Sequence, residues 1–318
     1  MGQRRAVIIG ISGCSSSGKT TLARLLRDIF PETFILHEDD FYKPESELPI
    51  KDGLADWDCP EAISIPDLEL ALTHIRATGT FPPTVTSLED LNSVGACPAT
   101  PGQISACAAR VRDWLSPGRP GSRIFARTTT TTTTTTTTPS SPSHGGDDDD
   151  DHRQPSDRLR VCLVDGFLLY APPALARVMS LLDVKLFLRA GRATAVGRRG
   201  ARDGYVTLDG FWKDPPGYVE TIVWPNYVEA HRWLFEGAQV EGGRLDAGVL
   251  RREGIEVLDA TEKGEDVEFG RVLEWAVEAV MRGLERVVLG EESVDGVREG
   301  EGEGSGDGDG EGEGVDGR

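Results

Sequence analysis

No apolar stretch in the 318 residues approaches the ~18 that a membrane-spanning helix requires, so the sequence offers nothing to cross a bilayer. Cysteine is sparse and badly spaced for structural work. Cys14, Cys59, Cys97, Cys107 and Cys162 are odd in number and lack any C-x-x-C pair, which argues against a disulfide or zinc framework and predicts free thiols in a reducing compartment. Basic charge is also short: 34 Lys and Arg stand against 53 Asp and Glu, and no basic patch suited to nucleic acid is visible. The net charge of −19 is localised. The tail 291–318 holds eleven acids against two bases, and five aspartates fill 147–151. Together they carry −14, leaving about −5 for the rest. Met1-Gly2-Gln3-Arg4-Arg5 leads straight into an apolar run, which predicts no signal peptide, and no Ser or Thr at position six supports myristoylation of Gly2. These absences predict a soluble protein of the cytoplasm or nucleus without nucleic-acid or membrane partners, monomeric or weakly self-associating.

What is present has α/β periodicity. Ala6-Val7-Ile8-Ile9-Gly10-Ile11 reads as a buried strand, and 19–30 as a helix stopped by Pro31. Further strands are predicted at 33–37, 159–166, 184–188 and 255–258, with helices at 64–76, 217–235 and 267–288. The run 159–164 is apolar on both faces, as in the middle of a parallel sheet. Alternation of this kind implies a doubly wound parallel sheet with helices on both faces. From 84 to 156 the pattern dissolves into eleven threonines (128–138), prolines, serines and aspartates, although 104–115 could form a short helix. The expectation is one domain over 1–290, interrupted by a mostly disordered insertion, followed by a disordered acidic tail over 291–318.

The most specific stretch is Gly13-Cys14-Ser15-Ser16-Ser17-Gly18-Lys19-Thr20. Strand, G-x-x-x-x-G-K-[ST] and helix in register form the context of a phosphate-binding P-loop. The glycines let successive N–H groups turn toward one anion, and the helix adds its positive end. Lys19 would reach the β/γ-phosphates, and the Thr20 hydroxyl would ligate Mg²⁺. A GTPase would also carry an N-K-x-D motif, which is absent. A small-molecule kinase needs an acid near the acceptor hydroxyl, a metal-ordering acid and mobile arginines. Asp39, with Asp40 beside it, ends the second strand and could supply the first. Asp165 ends a hydrophobic strand, as a metal-orienting carboxylate does. Arg198, Arg199 and Arg202 lie in a Gly-flanked segment and suit phosphate oxygens as a small lid. Trp57-Asp58 could stack on a flat cationic ring while the acid holds ribose hydroxyls. Each has a plainer alternative: turn caps for the aspartates, a solvated helix end for the arginines, loop packing for the tryptophan.

Taken together, these residues resemble the nicotinamide riboside kinases, in the uridine kinase-like branch of P-loop kinases. The resemblance rests on Gly10 to Ala23, on Asp39-Asp40-Phe41-Tyr42-Lys43-Pro44-Glu45-Ser46-Glu47, on Trp57 to Ala62, on Asp165-Gly166-Phe167-Leu168-Leu169, on the arginine cluster and on Val223-Trp224-Pro225. It implies ATP bound by Gly13, Cys14, Ser15, Ser16, Ser17, Gly18, Lys19, Thr20, Thr21, Arg198 and Arg202, with Glu262, Lys263 and Gly264 bordering adenine. It also implies Asp39 as general base, with Mg²⁺ near Thr20, Asp39 and Asp165. Tyr42, Trp57, Asp58, Arg199 and Tyr205 would line the riboside pocket, Tyr205 standing one residue further from Arg202 than in the vertebrate pattern. Asp165 stands where close relatives often have Glu. The implied reaction is ATP-dependent phosphorylation of the 5′-hydroxyl of nicotinamide riboside, and of nicotinic acid riboside, in NAD biosynthesis. A uridine/cytidine kinase and a catalytically silent nucleotide-binding regulator are the rival readings.

Overall fold

The apolar run that opens the chain becomes the centre of a sheet. In chain order the strands are β1 (Ala6–Gly13), β2 (Thr33–His37), β3 (Ile50–Lys51), β4 (Leu54–Ala55), β5 (Arg160–Gly166), β6 (Val184–Leu188), β7 (Tyr205–Thr207), β8 (Gly210–Trp212) and β9 (Ile255–Val257). Five pair in parallel in the order β2-β5-β1-β6-β9, while β3–β4 and β7–β8 are separate antiparallel hairpins. The computed structural model describes residues 5–92, 95–126, 158–258 and 267–290. The threonine and aspartate runs, the tail and the expected adenine-side residues Glu262, Lys263 and Gly264 lie outside the described residues.

Period-two alternation explains why the sheet is covered on both sides. Ala6 and Ile8 of β1 enter one core with Cys162 and Val164 of β5; Val7, Ile9 and Ile11 enter the other with Val161 and Leu163. The first core is closed by α2 (Ile65–Thr78), α5 (Ala176–Ser180) and α7 (Trp224–His231), the second by α1 (Lys19–Ile29), α3 (Pro101–Trp114) and α9 (Phe269–Leu284). Two shorter helices, α4 (Pro120–Ile124) and α8 (Ala247–Glu253), and α6 (Arg192–Gly200) complete the set. This is the doubly wound arrangement expected. A third, smaller cluster joins Leu48, Trp57, Cys59 and Ala62 to Tyr218, Val219, Ile222 and Val223, away from both sheet faces. All five cysteines are free thiols. Among the described residues no helix is long and apolar enough to cross a membrane.

Two expected elements differ. The helix predicted over 217–235 is broken into a π-turn (Val219–Val223), α7 and a 3₁₀ turn (Arg232–Leu234), and at the first junction Pro225 brings no N–H to the ladder. The second difference lies in the insertion from 84 to 156, where the short helix allowed at 104–115 is present as α3, begins earlier and is followed by α4. Thr100 and Gln103 form a reciprocal capping box with Pro101 in the first turn, and α3 buries Cys107, Val111 and Trp114. Trp114 packs edge-on against Phe30 and Phe125, and its indole N–H donates to Glu285 Oε1 at 2.6 Å. Further along, Arg110 pairs with Glu278 and Gln103 donates to Glu268, the N-cap of α9. Apolar area buried between α1, α3 and α9 outweighs the low-complexity sequence next to it.

Trp114→Ala should therefore destabilise the chain by about 3–5 kcal/mol, the range for emptying a large aromatic from a core, measured by urea unfolding. Replacing 84–156 with a short Gly/Ser bridge should abolish cooperative unfolding; an unchanged transition would show that α3 contributes nothing to the core.

Candidate active site

At the carboxyl edge of the sheet, β1 runs into the P-loop and α1. Gly13 (φ 149°) passes so close to β6 that a Cβ there would sit 2.2 Å from the Leu188 carbonyl oxygen. Gly18, left-handed at φ 100°, turns the chain into α1. Both positions require glycine. The Ser16 and Ser17 hydroxyls are buried with no partner among the described residues, which fits a cradle shaped for phosphate oxygens. Lys19 is buried and donates from Nζ to the Cys14 carbonyl at 2.9 Å. Burial holds its pKa below the ordinary lysine value, against the opposing pull of Cys14, Asp165, Asp39 and Glu38.

Register then assembles the acids. Asp165 pairs with Ile11 on one side and His37 on the other, so three strand ends meet at one level. Asp165 Oδ2 accepts from the Thr20 hydroxyl at 2.5 Å, and Oδ1 lies 2.5 Å from His37 Nδ1. Burial would raise the Asp165 pKa, but the His37 charge and hydrogen bond, the Thr20 hydroxyl and Lys19 hold it below the ordinary carboxylate value. Burial would likewise lower His37; Asp165 outweighs it and pushes the imidazole up to about 9. Asp39 is half-buried and makes no hydrogen bond among the described residues. Burial and the Asp165 charge raise its pKa, while Lys19, His37 and Arg202 limit the rise. Asp40 takes a structural part instead, its Oδ1 accepting from Leu88 N at 2.8 Å and Glu89 N at 3.4 Å. Thr20, Asp165 and Asp39 offer a hydroxyl and two carboxylates, an oxygen donor set that fits a hard divalent cation completed by phosphate and water. Among the described residues no three His, Cys, Asp or Glu groups form a metal cage of their own.

A cavity of about 710 Å³ runs along this edge. One end is lined by Lys19, Phe269, Val272 and Trp275, the other by Tyr42, Trp57, Asp58, Tyr205 and Trp212, with Arg198 and Arg202 also on its wall. At the second end Tyr42 stands edge-on to Trp57 (centroids 5.3 Å, 81°), and Trp212 leans against Trp57 from 5.7 Å at 49°. The Trp57 backbone N–H donates to the Tyr218 hydroxyl at 3.0 Å, and that hydroxyl donates to Ala55 O at 2.9 Å. The Trp57 indole N–H is buried without a partner among the described residues. Burial raises Asp58 to about 6 despite the charge and hydrogen bonds of Arg199.

Arg199, expected at the riboside pocket, is held by acids within the protein. Arg198 is exposed on α6 and Arg202 lies beyond the end of that helix, whereas Arg199 points into the protein, 8% exposed. Its five N–H groups are all engaged: Nε with Asp214 Oδ2 (2.7 Å), Nη1 with Ser15 Oγ (3.0 Å) and Asp58 Oδ1 (2.7 Å), Nη2 with Asp58 Oδ2 (3.0 Å) and Asp214 Oδ1 (3.1 Å). No donor remains for a substrate, so Arg199 here fixes Asp58 rather than reaching past it. Tyr205 likewise serves as a platform, with the Arg199 and Arg202 guanidinium carbons each 5.0 Å from its ring centre. Sequence reasoning missed His37, Glu89, Asn92, Trp212 and Asp214. Only His37 carried a local signal, as a polar residue ending a strand directly before two acids.

Three fungal relatives share a name. Nicotinamide riboside kinase of Schizosaccharomyces pombe is 33% identical to this chain over 243 residues, 76% of this chain and 86% of the relative. The proteins of that name from Eremothecium gossypii and Saccharomyces cerevisiae are 32% and 31% identical, each across 76% of this chain and 82% and 84% of the relative. No family model matches the chain.

The His37–Asp165 pair makes a pH prediction for the metal-free chain. With His37 raised from 6.5 to about 9, the stability it adds is complete below pH 6.5 and is lost as pH rises through 9. Melting temperature should fall across that window in the wild type, and much less in His37→Gln. Parallel curves would remove the charged histidine from the pair.

Proposed function

The chain belongs to the nicotinamide riboside kinases, and from that membership we propose that it transfers the γ-phosphoryl group of ATP to the 5′-hydroxyl of nicotinamide riboside, forming the mononucleotide for NAD synthesis. One observation carries the reading. A single cavity joins the P-loop to an aromatic slot, and Asp39 is within electrostatic reach of Lys19 on one side and Tyr42 on the other. Nicotinic acid riboside has the same 5′-hydroxyl and fits the same reading.

The residues divide the work. The P-loop amides, Ser16 and Ser17 would hold phosphate oxygens, and Lys19 would neutralise the β/γ-phosphates. Arg198 and Arg202 would close over the transferred group from the lid. Phe269 and Trp275 would flank adenine. Thr20 and Asp165, with Asp39, would hold Mg²⁺, which supplies charge neutralisation for the phosphates. Trp57 and Trp212 present electron-rich faces to the cationic nicotinamide ring, and Asp58, braced by Arg199, would accept the ribose hydroxyls. Asp39 would then take the 5′-hydroxyl proton as the O5′–phosphorus bond forms and the bond to the β–γ bridging oxygen breaks, releasing ADP. Its raised pKa suits it to receive that proton, whereas Asp165, held anionic, suits the metal. Positioning and charge neutralisation supply most of the catalysis in such a transfer.

Asp39→Ala should leave ATP binding nearly intact and lower kcat by ~10²-fold or more, the usual cost of losing a general base. Near-normal turnover would remove Asp39 from that role. With ATP, Mg²⁺ and an equimolar mixture of nicotinamide riboside, nicotinic acid riboside, uridine and cytidine, mass spectrometry should find nicotinamide mononucleotide as a main product. Pyrimidine monophosphates alone would overturn the substrate and keep the chemistry; bound ATP without any product would favour a silent regulator.

A further inference from the structure

Residues 87–92 have no part in the reaction as described, yet they are tied to three sides of the site. At their start the Asp40 carboxylate gathers the Leu88 and Glu89 amides and the Ser87 hydroxyl, the last at 3.3 Å. A 3₁₀ turn, Glu89–Leu91, follows. Glu89 is 5% exposed; Arg24 of α1 donates to its carbonyl at 3.4 Å and lies 3.9 Å from its carboxylate. Asn92 closes the segment. Its Nδ2 donates to Glu89 Oε2 at 2.6 Å, and its Oδ1 accepts from Val206 N at 2.7 Å. The Val206 N–H fixes the amide orientation, since a backbone N–H can only donate, and this turns Nδ2 toward Glu89.

Val206 is the middle residue of β7. Its neighbours on the hairpin are the cross-strand pair Tyr205 and Trp212, both on the cavity wall. The hairpin has three residues per strand and is too short to hold itself in place. Leu208 and Phe211 near its tip are exposed, and another tether runs from Asp209 Oδ2 to the Glu45 amide at 2.7 Å. Glu89 and Asn92 line the cavity alongside it.

We propose that Asn92 is a positioning residue for phosphoryl transfer: by bridging Glu89 and Val206 it holds the β7–β8 hairpin, and with it the Tyr205–Trp212 pair, at the height the nucleoside ring requires. The inference rests on the reading that this end of the cavity takes the nucleoside. The peg sets the fraction of molecules whose slot is formed before substrate arrives, and apparent affinity scales with that fraction. It bears on the nucleoside end and leaves the P-loop end alone.

The test is steady-state kinetics of the full chain with each substrate varied in turn. Asn92→Ala should raise the riboside KM about five- to tenfold, the scale of one hydrogen bond to an ordered partner, while the ATP KM stays within about twofold. Asn92→Asp keeps the acceptor for Val206 but removes the amide donor to Glu89, and should also raise the riboside KM. Adding Glu89→Gln restores a donor facing an acceptor with the polarity reversed, and should return that KM to near the wild-type value. Hydrogen exchange over 205–212 reads the same link without substrate and should quicken in Asn92→Ala. An unchanged riboside KM in Asn92→Ala, an equal rise in both KM values, or no rescue in the double variant would overturn the proposal. So would a loss of kcat at unchanged KM in Glu89→Gln alone, which would make Glu89 part of the chemistry. If the wild type consumes only another nucleoside, the substrate assignment fails, and the same comparison, read on that nucleoside, decides the role of Asn92.

Discussion

The Asp165 carboxylate answers two demands at once, one oxygen taking the Thr20 hydroxyl and the other facing His37. Much of the site follows from that sharing, because the three residues come from α1, β2 and β5 and only parallel register brings them level. Nearby carboxylates must then differ in environment, since like charges in a dry site cannot all ionise freely. Asp165, paired with a charged imidazole, stays low; burial pushes Glu38 up to about 8 and Glu89 to about 7 and raises Asp39. Carboxyl groups of the same kind are thus set apart by their neighbours, Asp165 held as an anion and the others pushed toward the neutral form.

At the other end of the cavity a buried guanidinium has the organising role. Taking Arg199, Asp58 and Asp214 out of water is costly, and the cost is met only because all five N–H groups find acceptors in good geometry. Removal of Arg199 would leave two carboxylates facing each other without a counter-charge. The cluster also joins the P-loop, through Ser15, to the segment carrying Trp57 and to the one carrying Trp212. Phosphate and nucleoside ends are therefore braced against each other by one side chain.

Legibility in the sequence followed the range of the signal. The strand–P-loop–helix unit, β6 and α2 were readable because a window of a dozen residues holds their whole pattern. Asp39 and Asp165 were readable because parallel strands gather their carboxyl ends wherever they lie in the chain. Arg199 was identified, but its partners were not, since Asp58 lies 141 residues away and only folding brings it near. Some signals were present and outweighed. Asp52-Gly53, with both residues at positive φ, and Asp209-Gly210 mark the two hairpins. Thr100-Pro101-Gly102-Gln103 is a capping box that the neighbouring threonine run overshadowed. The segment 87–92 had no such sign, being polar and without period. Its order comes from Asp40, Arg24 and Val206, none of which local sequence reveals.

The small apolar cluster beneath the nucleoside end is separate from the two cores that clamp the sheet. A protein divided in this way has a hierarchy of openings, and the unit with the least buried area opens at the lowest free energy. The P-loop rises from the sheet clamped by the two larger cores, whereas Trp57 belongs to the smaller cluster and is tied to the P-loop through Asp58, Arg199 and Ser15. Opening that corner would therefore also break a buried ion-pair network, so local loosening and loss of the Arg199 cluster are one event.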